Sequence, residues 1–214
     1  EQIINLLITG TLDTLQMTII STVMAMLLGI PLGVVLVVTS KGHILENIAL
    51  NKVLGAIVNA TRSVPFIILM VAIIPFTRMV VGTSIRTTAA CVPLTIAAIP
   101  FLARLVETSI KDINFGVIEA AQASGATFWD IVGVYLSEGL PDLIRVTTVT
   151  LISLVGETAM AGAVGAGGIG NVAIAYGFNR YNHDVTILAT IIIILIIFTI
   201  QFLGDLWTKK LSHK

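Results

Sequence analysis

The feature that most constrains this chain is the length of its apolar runs. No charged residue lies between Asp13 and Lys41, and the run from Val185 to Gly204 is dominated by Ile, Leu, Val and Thr. A helix that crosses about 30 Å of hydrocarbon needs roughly 20 mostly apolar residues, since each residue advances it by about 1.5 Å. These runs therefore predict helices that span a membrane.

Five runs have this character, which predicts an all-α, polytopic membrane protein with five transmembrane helices. We expect the spans at residues 17–39, 54–76, 87–103, 146–174 and 185–204. Residues 1–16 are then an outer-face N-terminal segment, either a short amphipathic helix or a frayed polar terminus. A polar loop follows the third span at residues 104–145, and a cytoplasmic tail follows the last at 205–214.

The basic residues predict the orientation of these spans, because cytoplasmic loops carry an excess of Lys and Arg. With the N-terminus outside and the C-terminus in the cytoplasm, three basic residues lie outside: Arg78, Arg86 and Arg180. The other nine of the 12 lie on the cytoplasmic side: Lys41, Lys52, Arg62, Arg104, Lys111, Arg145, Lys209, Lys210 and Lys214. The reverse orientation would violate the rule.

Composition excludes several classes of protein. Charged residues make up 11% of the chain and the formal net charge is zero, so there is no basic surface for nucleic acid. Cys91 is the only cysteine, which excludes a disulfide framework or a cysteine zinc site. His43, His183 and His213 lack metal-ligand spacing. The sequence offers no catalytic triad or carboxylate pair and no G-x-x-x-x-G-K-[ST] motif, so we expect no enzyme and no bound cofactor.

The polar loop has the pattern of two short helices joined by a tight turn. Small residues in "VIEAAQAS" predict the first helix, Gly125 permits the turn, and residues 126–136 predict the second helix. Phe128, Trp129 and Ile131 would place bulky apolar groups on this second helix. The loop is therefore either a docking surface for a partner protein or an ordinary helical hairpin.

The sequence E-A-A-x-x-x-G in this loop resembles the signature of permease subunits of bacterial binding-protein-dependent ABC importers. The resemblance assigns coupling to an ATPase subunit to Glu119, Ala120, Ala121 and Gly125, followed by Ala126 and Thr127. "GTLDTLQMTIISTVMAMLLGIPLGVVLVVTS" and "TRSVPFIILMVAIIPFTRMVVGTSI" are similar to two further blocks of that family, and the whole set of spans looks like its methionine type. One departure is that Leu-Pro follows the second helix later than the family pattern has it, at Leu140-Pro141.

The resemblance implies a type I ABC importer permease fold in a bacterial inner membrane. It also implies a second copy of the chain, two ATP-binding subunits that hold the ATP, and an extracytoplasmic binding protein or lipoprotein. The expected function is ATP-driven import of methionine. Another amino acid or small ligand is the alternative substrate, and an ATPase-independent channel or transporter is the alternative class of protein.

The fourth run contains a carboxylate, Glu157, whose burial in lipid is unfavourable by roughly 3 kcal/mol. Glu157, Met160, Ala161 and Val164 share one face of a helix, so they are candidates for the translocation pathway. Alternatively, Glu157 lies near the cytoplasmic boundary, hydrogen-bonded to Thr158 or to a neighbouring helix. Small residues that recur every fourth position from Ala159 to Gly170 predict close helix packing, either between two copies or within one chain.

Overall fold

The computed structural model describes residues 1–212, and helices make up its architecture. The ten α-helices of this part of the chain are α1 (Gln2–Val38), α2 (Ile48–Ser63), α3 (Phe66–Ala72), α4 (Ile74–Val81), α5 (Thr87–Lys111), α6 (Phe115–Ala123), α7 (Phe128–Glu138), α8 (Leu140–Ala163), α9 (Gly168–Asn171) and α10 (His183–Ser212). A π-helical segment and a 3-10 turn, Val172–Gly177 and Phe178–Arg180, join α9 to α10. His213 and Lys214, which the sequence places in the tail, lie outside the described residues.

The all-α, polytopic architecture is confirmed. Within residues 1–212, α1, α5, α8 and α10 are each long and apolar enough to cross a membrane. Together α2 and α3 also pass this test, but they are bent by 101° at their junction. Whether this bent pair forms a fifth span, and on which side each terminus lies, stay predictions.

The bend in the second apolar run is caused by Pro65. Proline lacks a backbone N–H and disfavours the helical conformation of the residue before it, so helices usually end there. Val64 is extended, with φ −79° and ψ 124°, and α3 begins directly after Pro65. The run expected as one span at 54–76 is therefore divided among α2, α3 and α4.

The first helix is longer than the span predicted from its apolar run. It has 37 residues and begins at Gln2, so residues 1–16 continue the same helix as the span and form no separate short helix. At about 1.5 Å per residue its length is about 55 Å, well beyond the hydrocarbon thickness of a bilayer.

Glycines bring α1 and α5 into close contact. A Cβ atom added at Gly33 would lie 2.8 Å from the carbonyl oxygen of Ala103, and one at Gly29 would lie 3.0 Å from that of Ile99. In lipid, helices associate through close packing of this kind, since burial from water contributes little there. The buried side chains around this contact, including Leu102 and Val106, form the centre of the core.

The glycine-rich segment after α8 reverses the chain onto α8 itself. α8 ends at Ala163, before the predicted end of the span at residue 174, and Gly165 and Gly167 adopt φ +97° and +88° in the turn. A Cβ atom at Gly170 would lie 2.6 Å from the carbonyl oxygen of Ala159. At Ala159, Gly162 and Gly170 the small-residue pattern therefore serves packing within one chain, and contact between two copies stays a prediction.

We expect the substitution Gly170→Ala to destabilise the fold, because its methyl group has no room against the α8 backbone. Overpacking of this kind costs about 1–3 kcal/mol. Gly156→Ala is the matched control, since Gly156 lies on α8 with no atom near its Cβ direction. Thermal unfolding of the two variants in detergent measures the difference. Equal melting temperatures would show that the α8–α9 contact is not tight.

Candidate coupling surface and translocation cavity

The turn between α6 and α7 explains the spacing of the E-A-A-x-x-x-G motif. The N–H of Ala126 donates to the carbonyl of Ala121 at 3.1 Å, and the N–H of Gly125 donates to that of Gln122 at 3.0 Å. This pair of bonds is a Schellman motif, which requires a left-handed residue after the helix. Gly125 fills that position with φ +81°. The fourth residue after Ala121 must therefore be one that tolerates positive φ.

The start of α7 is fixed by a capping box. The N–H of Thr127 donates to Oδ2 of Asp130 at 2.8 Å, and the N–H of Asp130 donates to Oγ1 of Thr127 at 3.3 Å. These reciprocal bonds satisfy backbone donors that the first turn of a helix leaves free. Hydrogen bonds from Thr127 lower the pKa of the Asp130 carboxyl below its ordinary value. Both sides of the turn are thus locally determined.

The motif residues form an exposed surface, which we call the coupling surface. Glu119, Ala120, Gly125 and Thr127 are exposed, while Ala121 and Ala126 are half-buried. Trp129 extends the coupling surface and is 76% exposed. The surface lies at the end of the bundle where α1 also meets α2, which we call the coupling end.

The expectation that Ile131 contributes to docking is wrong. Its side chain is fully buried, and Phe128 is half-buried with its ring against that of Trp129. Ile131 lies one helical turn before Tyr135, which is also buried, and this face of α7 packs on the core. The periodicity of α7 thus assigns Trp129 and Ile131 to opposite sides of one helix.

A hydrogen bond and an aromatic contact fasten this unit to the α1–α2 turn. Nδ1 of His43 and the hydroxyl oxygen of Tyr135 are 2.9 Å apart, and the His43 ring lies edge-on to Phe115 with centroids separated by 5.6 Å. Burial lowers the pKa of His43, and the positive charge of Lys111 lowers it further. His43 therefore favours the neutral state between α6 and α7.

Ionic contacts also connect α5 to α2 at the coupling end. Glu107 is buried and forms ion pairs with Arg104 and with Lys111, the latter at 2.7 Å. Arg104 in turn donates to Oδ1 of Asn59 at 2.9 Å and to the carbonyl of Gly55 at 3.3 Å. Burial of a carboxylate is unfavourable unless cationic partners compensate it, so removal of a partner destabilises the fold. The α2 segment is therefore held firmly on α5.

A second candidate site is a cavity of about 530 Å³ next to the α2–α3 bend. Glu157 and Met160 of α8 line it, and their place on a translocation pathway stays a prediction. The Oε2 atom of Glu157 is buried without a hydrogen-bond partner, whereas the Thr158 hydroxyl donates to the carbonyl of Val155 at 2.7 Å. The alternative that pairs Glu157 with Thr158 or another helix is therefore wrong for this carboxylate oxygen.

Two of the four candidate pathway residues do not reach the cavity. Ala161 is fully buried in the core. Val164 follows the end of α8, where the backbone leaves the helix, and lines a smaller cavity of about 100 Å³ beside Arg86. The shared face predicted from the sequence fails at Val164 because α8 ends one residue before it, and at Ala161 because that residue packs in the core.

Eight residues that line the larger cavity were not predicted from the sequence, among them Arg62, Pro65 and Phe101. Arg62 was recognisable as the one charge in the second apolar run, because a charge inside a span generally faces a cavity or a partner. Pro65 and Phe101 carried no comparable signal. Within residues 1–212, no three His, Cys, Asp or Glu side chains are arranged to hold a metal ion.

Comparisons with known proteins agree on one family. The family described as "Binding-protein-dependent transport system inner membrane component" matches residues 25–214. A "Probable D-methionine transport system permease protein MetI" from Vibrio cholerae is 51% identical and covers 98% of this chain and 94% of its own length. A protein of the same description from Pasteurella multocida is 50% identical, covering 96% and 95%. A chain in a solved structure of inward-facing conformations of the MetNI methionine ABC transporter is 47% identical, with a TM-score of 0.97 over 99% of this chain and 98% of that one.

These matches cover nearly the whole chain at high identity. The chain therefore belongs to the family of inner membrane components of binding-protein-dependent transport systems, and the resemblance found in its sequence is confirmed. Its fold is that of the permease chain in the MetNI transporter. It is a multi-pass membrane protein of a transport system.

We expect the packing of His43 to make the coupling end less stable in mild acid. The unfolded chain binds a proton at an ordinary histidine pKa of 6.5, whereas the folded chain binds it at lower pH. The stability that this pKa difference of His43 contributes is fully present above pH 6.5 and is lost progressively as the pH falls below that value. The measurement is protease resistance of residues 115–138 at pH 7.5 and 5.5.

His43→Gln keeps a polar partner for Tyr135 but does not titrate, so it should remove this pH dependence. His183→Gln, at the start of α10, is the control and should keep it. A pH dependence that survives in the His43 variant would contradict the assignment.

Proposed function

We propose that this chain is the membrane-spanning permease subunit of an ATP-driven importer of methionine. The observation that carries the proposal is the Schellman turn of Gly125, which presents Glu119 and Ala120 at the coupling end. Names of relatives that are 51% and 50% identical over almost the full chain support methionine as the substrate. Glu119, Ala120, Ala121, Gly125, Ala126 and Thr127 then form the contact with the ATPase subunit.

The assembly that fits this proposal contains two copies of the chain and two ATP-binding subunits. A binding protein or lipoprotein outside the membrane delivers methionine. The partner subunits bind the ATP, and this chain carries no cofactor. Positive-inside orientation, with the coupling end in the cytoplasm, places the coupling surface where those subunits are.

The coupling surface is suited to transmit a rigid-body movement. The opposite side of α6 and α7 is buried at Ile118, Ile131 and Tyr135, and His43 joins these helices to the turn between α1 and α2. A displacement of Trp129 by a docked ATPase would therefore move the ends of several helices together. Movements of this kind convert between inward- and outward-facing states, because packed helices shift as units.

The translocation pathway passes beside the cavity that Glu157 and Met160 line. This cavity carries two charged side chains and lies next to the bend between α2 and α3. Backbone that leaves helical geometry at membrane depth is tolerated where it is buried in protein or borders a water-filled path. The Pro65 bend beside the cavity satisfies this condition.

We expect Gly125→Leu to abolish methionine uptake while membrane insertion and assembly are retained. A leucine at φ +81° strains the turn by about 1–2 kcal/mol and adds a bulky group to the coupling surface. Gly82→Leu is the matched control, since Gly82 ends α4 with φ +77° and also has open space around it. Radiolabelled methionine uptake into cells, with quantitation of membrane protein, measures both.

Uptake that is normal in the Gly125 variant, or equally reduced in the Gly82 variant, would contradict the coupling role. The first outcome would show that the turn is dispensable. The second would show that backbone strain alone accounts for the loss.

Deletion of this gene should abolish high-affinity methionine uptake, and its reintroduction should restore uptake only in a strain that retains the ATP-binding subunit. Co-purification of a nucleotide-hydrolysing partner with the tagged chain would exclude an ATPase-independent transporter. If the deletion abolishes uptake of another amino acid and leaves methionine uptake unchanged, that amino acid is the substrate instead.

A further inference from the structure

Two opposite charges line one cavity without neutralising each other. Arg62 at the end of α2 and Glu157 of α8 both border the cavity of about 530 Å³. The ion pairs among residues 1–212 are those of Arg104 and Lys111 with Glu107 and of Arg145 with Asp142. Arg62 and Glu157 form no ion pair, although they border the same cavity from two different helices.

Such an arrangement is unfavourable unless something else completes it. Charged side chains inside a span are unfavourable and usually pair with one another. Arg62 is exposed in the single chain, whereas Glu157 is half-buried. Glu157 lies 17 residues after the start of α8 at Leu140, which places it about 26 Å from the coupling end of that helix. One of its carboxylate oxygens is buried with no hydrogen-bond partner. Glu157 is therefore half-buried far from that end of α8, with one carboxylate oxygen unsatisfied.

Apart from Thr61, the other residues that line the cavity are apolar. They include Pro65, Ala97, Phe101 and Met160. A thioether side chain is compatible with this surface, because sulfur makes favourable contacts with aromatic rings and fills irregular apolar gaps. The volume lies within the range of about 300–1,000 Å³ that is typical of small-molecule sites.

We infer that Arg62 and Glu157 form a recognition site for the zwitterionic head group of an amino acid in transit. The guanidinium of Arg62 binds the α-carboxylate, and the carboxylate of Glu157 binds the α-ammonium. Phe101 and Met160 contact the apolar side chain. The inference rests on the proposed function and adds to it that the permease itself selects for a zwitterion over an amine or a carboxylic acid.

The chemistry of the two groups gives each a separate task. Arginine presents a planar fork of donors that matches a carboxylate, and a carboxylate accepts from an ammonium group. Hydrogen bonds to charged partners contribute about 1.5–3 kcal/mol each, so the loss of one end of the zwitterion should weaken binding by about 10-fold to 100-fold. A site on a transport path must also release its ligand, so moderate affinity is expected.

The test measures binding of radiolabelled L-methionine to the purified permease–ATPase complex without the external binding protein. Competitors are L-methioninol, which lacks the carboxylate, and 4-(methylthio)butanoate, which lacks the ammonium group. In the unmodified complex both should compete about 10-fold to 100-fold more weakly than methionine.

Each variant should lose discrimination against one competitor only. Arg62→Gln should bind methionine and methioninol equally, yet still reject the butanoate. Glu157→Gln should bind methionine and the butanoate equally, yet still reject methioninol. Arg145→Gln and Glu138→Gln are matched controls, because both residues are exposed and lie outside this cavity. If the glutamine variants fold poorly, Arg62→Lys and Glu157→Asp take their place. Both keep the charges, so they should retain most of the discrimination of the unmodified complex.

Either of two results would overturn the inference. One is the absence of methionine binding to the unmodified complex, and the other is unchanged discrimination in folded Arg62→Gln and Glu157→Gln complexes. Methionine uptake by the unmodified, complete transporter distinguishes these results from a failure of the proposed function. If that uptake is normal, only the zwitterion site is wrong, whereas if it is absent the methionine importer assignment is wrong.

Discussion

Close approach of helix backbones is the physical constraint on which the rest of this structure depends. In lipid, apolar side chains gain little by contacting one another instead of acyl chains, so helices must gain contact by tight packing. Gly29 and Gly33 provide this contact between α1 and α5, and Gly170 provides it between α9 and α8. The rigid centre formed in this way supports both the coupling surface and the cavity.

Polar contacts are concentrated where the chain leaves that apolar centre. The network of Arg104, Glu107 and Asn59 and the contact of His43 with Tyr135 all lie at the coupling end. They connect separate elements, whereas most threonine and serine hydroxyls of the spans bond to carbonyls within their own helix. The coupling surface is thus joined to the ends of α1, α2 and α5. In the proposed coupling role, a force applied there would reach α2, which borders the cavity.

The two proposals concern different levels of one mechanism. Coupling depends on the backbone geometry of the α6–α7 turn, because the exposed residues are small and their placement follows from the turn. Recognition in the cavity depends on side-chain charge, because Arg62 and Glu157 would each bind one end of the zwitterion. A transport subunit needs both, one to use the free energy of ATP and the other to limit what crosses.

The sequence alone determined the helical class, the membrane location and the coupling turn. Apolar run length sets the first two, and the spacing of Ala121, Gly125 and Thr127 sets the third through local hydrogen bonds. Tertiary structure decided which side chains meet. Sequence periodicity could not show that Arg62 shares a cavity with Glu157, because they are distant in the chain and border the same space only in the folded bundle. It also misplaced Ile131, Ala161 and Val164. Whether one side of a helix faces the core or a cavity is decided only when the neighbouring helices pack and the end of the helix is fixed.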